Sequence, residues 1–150
     1  MKKTQSNCKK SLLRILSVFL LLIATTACNA SVEPTDLRCE YRVNPIGIDN
    51  VTPRLSWKII DANKTRGQKQ TAYQILVASS LKALNNNNGD IWDSGKKASR
   101  KSVNNLYQGT ALTSGQACFW KVRIWDATDK ATDWSSHASF TIGLLNASDW

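Results

Sequence analysis

Acid–base chemistry in this 150-residue chain would have to come from eleven carboxylates and a single histidine. The carboxylates that fall near one another are Asp90 with Asp93, and Asp126 with Asp129 and Asp133. Two carboxyl groups held roughly 6.5–9.5 Å apart can protonate a leaving group and activate a water across from it. These aspartates instead sit in turn-like contexts, where a short carboxylate accepts hydrogen bonds from the local backbone. His137 falls on the polar phase of the last alternating segment and has none of the partners that a metal centre or an activated nucleophile requires. No glycine-rich phosphate loop or paired-cysteine motif occurs. The expectation is no catalytic residue, no metal ligand and no cofactor.

Six tryptophans are the other candidates for chemistry. Trp57 and Trp120 are in phase with apolar neighbours and belong to a core. Trp92, Trp125 and Trp134 are less constrained. An open indole face can stack on a sugar or cover a neighbouring domain, so Trp92 and Trp125 are the candidate binding residues. For Trp125, on the phase opposite Trp120, three roles stay open: a domain interface, packing under a loop, and sugar contact. Trp150 would pack against a following domain.

The elements that must position these side chains are strands. Cys118 to Asp126 reads CFWKVRIWD, with Cys118, Trp120, Val122 and Ile124 on one face and Lys121 and Arg123 on the other, a half-buried antiparallel strand. Leu37, Cys39, Tyr41 and Val43 alternate with Arg38, Glu40 and Arg42, which predicts a first strand ending at Asn44-Pro45-Ile46-Gly47. Pro53 introduces a second, Arg54 to Ile60, with Leu55, Trp57 and Ile59 inward. A third, Thr71 to Ser79, is apolar on both faces and reads as a central strand covered on both sides. Leu81 to Leu84 makes one helical turn before the polar run Asn85 to Asp90, an exposed turn. Ile91 to Ser94 and Ser102 to Tyr107 give short strands, the latter with Val103 and Tyr107 in phase but Asn105 between them, so that its inward face is imperfect, and Trp134 to Ile142 closes the series. Seven short strands at regular spacing predict an all-β, seven-stranded antiparallel β-sandwich.

The first thirty residues differ in kind. Lys2, Lys3, Lys9, Lys10 and Arg14 precede an uncharged stretch from Ile15 to Ala27, then small residues and Cys28, the pattern of a cleaved export signal. Thirteen helical residues reach only about 20 Å, short of the ~30 Å hydrocarbon core, which disfavours a lasting transmembrane anchor. Ala24-Thr25-Thr26-Ala27-Cys28 suits a lipoprotein signal with acylation of Cys28, although Thr25 stands where leucine is usual and ordinary cleavage also fits. The first reading gives a periplasmic or cell-surface protein held to a membrane by lipid. The signal holds five of the 20 basic residues and none of the 11 acidic ones, so 15 against 11 remain and the net charge falls from +9 to +4. The cluster Lys96, Lys97, Arg100 and Lys101 has no interleaved aromatics and reads as a solvated loop, not a nucleic-acid footprint.

Residues 31–150 are enough for one domain. Only Cys39 and Cys118 remain in it, both on inward phases. An oxidising compartment would allow a bridge; buried free thiols are favoured, since nothing in the sequence fixes their separation.

Leu55-Ser56-Trp57 after a proline, Tyr73-x-Ile75-x-Val77 and Leu112 before an alternating strand resemble a fibronectin type III, immunoglobulin-like domain. More specifically, LRCEYRVNPIGID (37–49), PRLSW (53–57), QTAYQILVASS (70–80), IWDSGK (91–96), FWKVRIWD (119–126) and FTIGLLNASDW (140–150) resemble the N-terminal domain of bacterial α-L-rhamnosidases. The resemblance implies a non-catalytic accessory sandwich in a longer exported enzyme, whose paired acidic residues lie in a helical barrel downstream. It implies downstream domains as partners and rhamnose-containing glycans as the substrate class. Two readings from other classes are a carbohydrate-binding module acting through Trp92 or Trp125 and an adhesion-type module at the cell surface. The chain departs from the family at Cys118, where such domains usually set a tyrosine whose hydroxyl ties the strand to the preceding loop.

Overall fold

A computed structural model describes residues 32–64 and 66–149, so the signal segment, Cys28 and Trp150 lie outside the described residues. Among the described residues, eight strands form two antiparallel sheets: β1 (Val32–Cys39), β2 (Arg54–Asp61), β3 (Ala72–Ala78), β4 (Trp92–Asp93), β5 (Lys97–Ala98), β6 (Asn105–Leu106), β7 (Ala117–Trp125) and β8 (Ala138–Thr141). A short helix α1 (Leu81–Asn85) follows β3, and a 3-10 turn spans Ala147–Asp149. One sheet runs β1-β2-β6 and the other β4-β3-β7-β8, with β5 also paired to β3. This is the predicted immunoglobulin-like sandwich.

The period-two pattern decides which side chains meet between the layers. Leu37, Cys39, Leu55 and Trp57 from the smaller sheet face Ile75, Val77, Trp120, Val122, Ile124 and Phe140 from the larger one. Trp57 and Trp120 are both buried. Burial of aliphatic and aromatic side chains on this scale, at about 1.5–3 kcal/mol each, holds the layers together. Leu76 and Ala78, on the opposite phase of β3, are buried as well, under Leu84 of α1 and beside Phe119 and Trp134. The central strand is thus covered on both faces, as its double apolar pattern predicts. Ser80 caps α1 by accepting the Ala83 N–H at 3.2 Å.

Between β1 and β2 the chain crosses from one sheet to the other. Pro45 to Ile48 runs beside β8, where Thr141 N donates to the Pro45 carbonyl at 3.0 Å and Gly143 N to the Ile48 carbonyl at 2.9 Å. Ile48 and Ile142 form a parallel bridge. β1 itself is an edge strand that carries Pro34 and shifts register between Thr35 and Arg38, with Asp36 at φ +47°.

Several boundaries differ from the sequence reading. β1 ends at Cys39, and Tyr41 and Val43 are exposed. Glu40 and Tyr41 adopt positive φ in a tight turn closed by paired hydrogen bonds between Cys39 and Arg42. The turn breaks an alternation that persists in the letters. Val103 is exposed while Asn105 takes the buried position, its amide donating to the Lys101 carbonyl at 3.2 Å. A satisfied amide can thus fill the inward position on which its phase places it. Lys97 is not part of a plain loop; it lies in β5, paired with Tyr73, and this extra rung raises the strand number to eight. The last strand is regular only from Ala138.

Candidate functional site

The outer face of the larger sheet gathers most of the aromatic and cationic groups that the alternation of β7 turns away from the core. Lys121, Arg123 and Trp125 share that phase, and Arg123 pairs across to Gln74 of β3. The Gln74 amide oxygen accepts from Arg123 Nε at 2.9 Å and from Nη2 at 2.7 Å, which aligns the guanidinium with the sheet. Residues 132–135 run along β7 as an irregular extension of β8. Thr132 N donates to the Ile124 carbonyl at 2.9 Å and Ser135 N to the Val122 carbonyl at 2.8 Å, while their hydroxyls accept the Ile124 and Val122 N–H groups. Side-chain oxygens replace backbone carbonyls here, so the ladder continues without strand geometry. The result seats Trp134 over the sheet.

A cation–aromatic ladder follows. The Arg123 guanidinium lies 5.1 Å from the Trp125 ring centroid and 4.7 Å from that of Trp134. Lys96 Nζ stands 4.9 Å from Trp125 and Lys121 Nζ 5.1 Å from Trp134. Each such contact contributes about 0.5–1 kcal/mol when exposed and about 2 when desolvated. Lys96 also pairs with Asp129 at 2.7 Å, and Lys121, whose pKa burial pulls down, donates to the Asn87 amide oxygen at 2.7 Å. Trp125, half-buried, therefore sits between two cations.

Trp92 occupies a different place. It pairs with Val77 on the inner phase of β4 and packs edge-on against Tyr107, centroids 5.2 Å apart at 73°. Trp92 and Trp125 thus lie on opposite faces of one sheet and cannot share a ligand. The Tyr107 hydroxyl donates to the Thr110 carbonyl at 2.6 Å, holding the loop that leads to β7. Gly109 is required in this loop, because an added Cβ would collide with that hydroxyl and with the Trp92 Cβ. Cys118, where the resemblance leads one to expect a tyrosine, is fully buried. The phenol that ties this loop is that of Tyr107.

Asp90, Asp93 and Asp126 are occupied by local hydrogen bonds, and Asp129 by Lys96. Asp90 accepts from the Ser79 N–H and hydroxyl, and those hydrogen bonds hold its carboxyl below the usual range. Asp93 accepts from the Gln74 amide and Gly95 N. Burial pushes the Asp126 carboxyl up, but hydrogen bonds from Thr128 and Lys130 leave it lowered overall. Low carboxyl pKa values are the opposite of what a general acid needs. His137 is exposed, and no group of metal-ligating side chains forms among the described residues. Cys39 and Cys118 are buried free thiols, pushed by burial up to about 12 and about 11. One buried polar node had no sequence signal: Trp57 Nε1 donates to Gln70 Oε1 at 3.0 Å, and Gln70 Nε2 donates to the Ser99 and Lys101 carbonyls.

Comparison with known proteins places this architecture. Residues 34–146 match the family described as Rha78A-like, N-terminal immunoglobulin domain. An alpha-L-rhamnosidase of Formosa agariphila is 40% identical over 144 residues, which cover 94% of this chain and 15% of that protein. Among solved structures, the alpha-L-rhamnosidase from Dictyoglumus thermophilum superposes with a TM-score of 0.75 at 42% identity, covering 79% of this chain and 13% of the other. The Streptomyces avermitilis alpha-L-rhamnosidase complexed with L-rhamnose gives 0.74 at 41% identity, covering 79% and 11%. The chain spans 11–15% of the length of the curated relatives it matches. With that match running through every strand from β1 to β8, the chain belongs to the N-terminal immunoglobulin domain family of Rha78A-like proteins.

Proposed function

We propose that this chain is the non-catalytic accessory sandwich at the N-terminus of a longer, exported alpha-L-rhamnosidase, bracing a catalytic region that follows it. The observation carrying this reading is the match over residues 34–146 to an N-terminal domain of proteins of which the chain spans only 11–15%. The carboxylate chemistry supports it, since Asp90, Asp93 and Asp126 hold turns, and the Asp90 and Asp126 carboxyls are lowered, away from an acid role. Assay of an aryl α-L-rhamnoside tests the proposal. The 150-residue chain releases no rhamnose, and the full gene product does. Turnover by the short chain, or none by a longer product, would overturn it.

The finer parts rest on the sequence of residues 1–30. Basic residues before an uncharged stretch support export, and the Ala24 to Cys28 pattern supports acylation of Cys28. Labelling with a fatty-acid analogue tests this: the label enters the wild-type protein and is lost in Cys28→Ser, whereas equal labelling of both refutes the anchor.

A further inference from the structure

Ile46 is 88% exposed, more than any other large apolar residue among those described. It sits in the crossing segment beside β8, where its position is fixed: Gly47 N donates to the Thr141 hydroxyl at 2.9 Å and Ile48 N to the Thr141 carbonyl at 2.9 Å. The edge continues past β8 into Leu144 and Leu145, also exposed. Between them the two backbones lie close, and a Cβ added at Gly143 would come within 3.3 Å of the Gly47 carbonyl oxygen. Apolar side chains held on a rigid edge keep their hydration cost unless something covers them.

The path of the chain beyond this edge is also fixed. Gly115 N donates to the Gly143 carbonyl at 3.1 Å and Leu145 N to the Ser114 hydroxyl at 3.0 Å. That hydroxyl donates in turn to the Asp149 carboxylate, which also accepts the Asn146 N–H at 2.9 Å. The Ser114 and Asn146 hydrogen bonds hold the Asp149 carboxyl below its usual range, so the clamp is charged at neutral pH. A flexible tether needs no such fastening. The cation–aromatic ladder is the weaker alternative surface, because its rings are engaged by Lys96, Arg123 and Lys121.

Resting on the reading of the chain as one domain of a longer enzyme, we propose that Ile46, Leu144 and Leu145 seat the domain that follows, and that the Ser114–Asp149 clamp sets its angle. The relatives supply the occupant, since the family is N-terminal and most of each relative lies beyond the matched portion. Intrachain domain interfaces bury about 600–1,500 Å², and interfaces of this kind place apolar side chains at the centre of a polar rim.

Hydroxyl-radical footprinting of the full-length gene product tests the surface. Ile46, Leu144 and Leu145 react several-fold more slowly than Val103 and Ile60, which are exposed elsewhere on the sandwich. Equal rates in a longer, rhamnose-releasing product overturn the docking surface alone. A product whose mass ends near residue 150, with all five side chains reacting alike, removes both the occupant and the reading beneath it. Protection that disappears on dilution assigns the patch to a second copy and also overturns the proposal. Asp149→Ala in the full-length product raises the rate at Leu144 several-fold, and an unchanged rate overturns the clamp.

Discussion

The indole N–H of Trp57 donates to the side-chain oxygen of Gln70, deep between the sheets. Trp120 on the facing sheet has its own indole nitrogen buried without a hydrogen-bond partner. Two tryptophans of the same core therefore carry unequal polar burdens. Trp57→Phe strands the Gln70 oxygen, whereas Trp120→Phe removes a donor that has no acceptor. Since an orphaned buried polar group costs about 1–3 kcal/mol, urea unfolding will show Trp57→Phe to be the more destabilising by about that amount. Equal losses would mean that cavity formation alone sets the cost.

The ladder on the outer sheet face predicts a graded series at one position. Arg123→Ala loses two ring contacts and the paired hydrogen bonds to Gln74, and should lower stability by about 1–3 kcal/mol. Arg123→Lys keeps the charge without the planar fork and should fall between. Near-ultraviolet circular dichroism will report the loosened Trp125 and Trp134 in both variants. A thermal scan in which alanine and lysine behave alike would remove the geometric part of the argument.

Glu40 and Arg54 fasten the turn after β1. Arg54 N donates to one Glu40 oxygen at 2.7 Å and Arg54 Nε to the other at 3.1 Å. These hydrogen bonds from Arg54 lower the Glu40 pKa from its ordinary 4.5. A lowered carboxyl contributes stability that is present above pH 4.5 and lost as the pH falls through the folded value. Glu40→Gln should therefore cost about 1–3 kcal/mol at pH 7, and its difference from wild type should shrink in acid below pH 4. A pH-independent difference would contradict the charge-based account.

The two buried thiols give the alkaline counterpart. Folded Cys39 and Cys118 stay protonated up to about 12 and about 11, against an ordinary value of 9.0. The unfolded chain loses those protons first, so stability is intact below pH 9 and declines between pH 9 and about 11, by up to about 1.4 kcal/mol per pH unit for each thiol. Iodoacetamide at pH 8 should leave both cysteines unmodified in the folded domain and label both after denaturation. Native labelling, or a mass showing the two joined, would contradict the buried free-thiol state.

Titration of the domain with L-rhamnose or a rhamnose-containing oligosaccharide should leave its tryptophan fluorescence unchanged. Trp92 is edged by Tyr107, and Lys96 and Arg123 both stand over Trp125. Saturable quenching abolished by Trp125→Ala would assign sugar contact to that face.

Alternation carried most of the fold. β2, β3 and β7 lie where period-two patterning sets them, because burial on one face is the same signal that the letters display. It misled at Tyr41 and Val43, where positive φ at Glu40 and Tyr41 reverses the chain while the apolar and polar letters keep alternating. Asn105 shares the inward phase of Tyr107 and is buried there, but burial of Gln70 was illegible because it depends on carbonyls from Ser99 and Lys101, loop atoms whose positions exist only once the sandwich has closed. For the site, Arg123 between Trp125 and Trp134 could have been suspected from Arg123 and Trp125 two apart on β7. The seat of Trp134 could not, since hydroxyls of Thr132 and Ser135 stand in for strand carbonyls.

Pro34 and the displaced register at Asp36 fall on the one long strand whose outer side has no partner in its own sheet. Proline offers no N–H there, the bulge twists the remaining groups out of line, and Lys58 and Arg38 place charge around the same spot through Asp36. A neighbouring molecule therefore finds no straight template on which to add a strand. The domain should resist fibril growth at high concentration, and straightening that rim with Pro34→Val would create the seed that the wild-type sequence withholds.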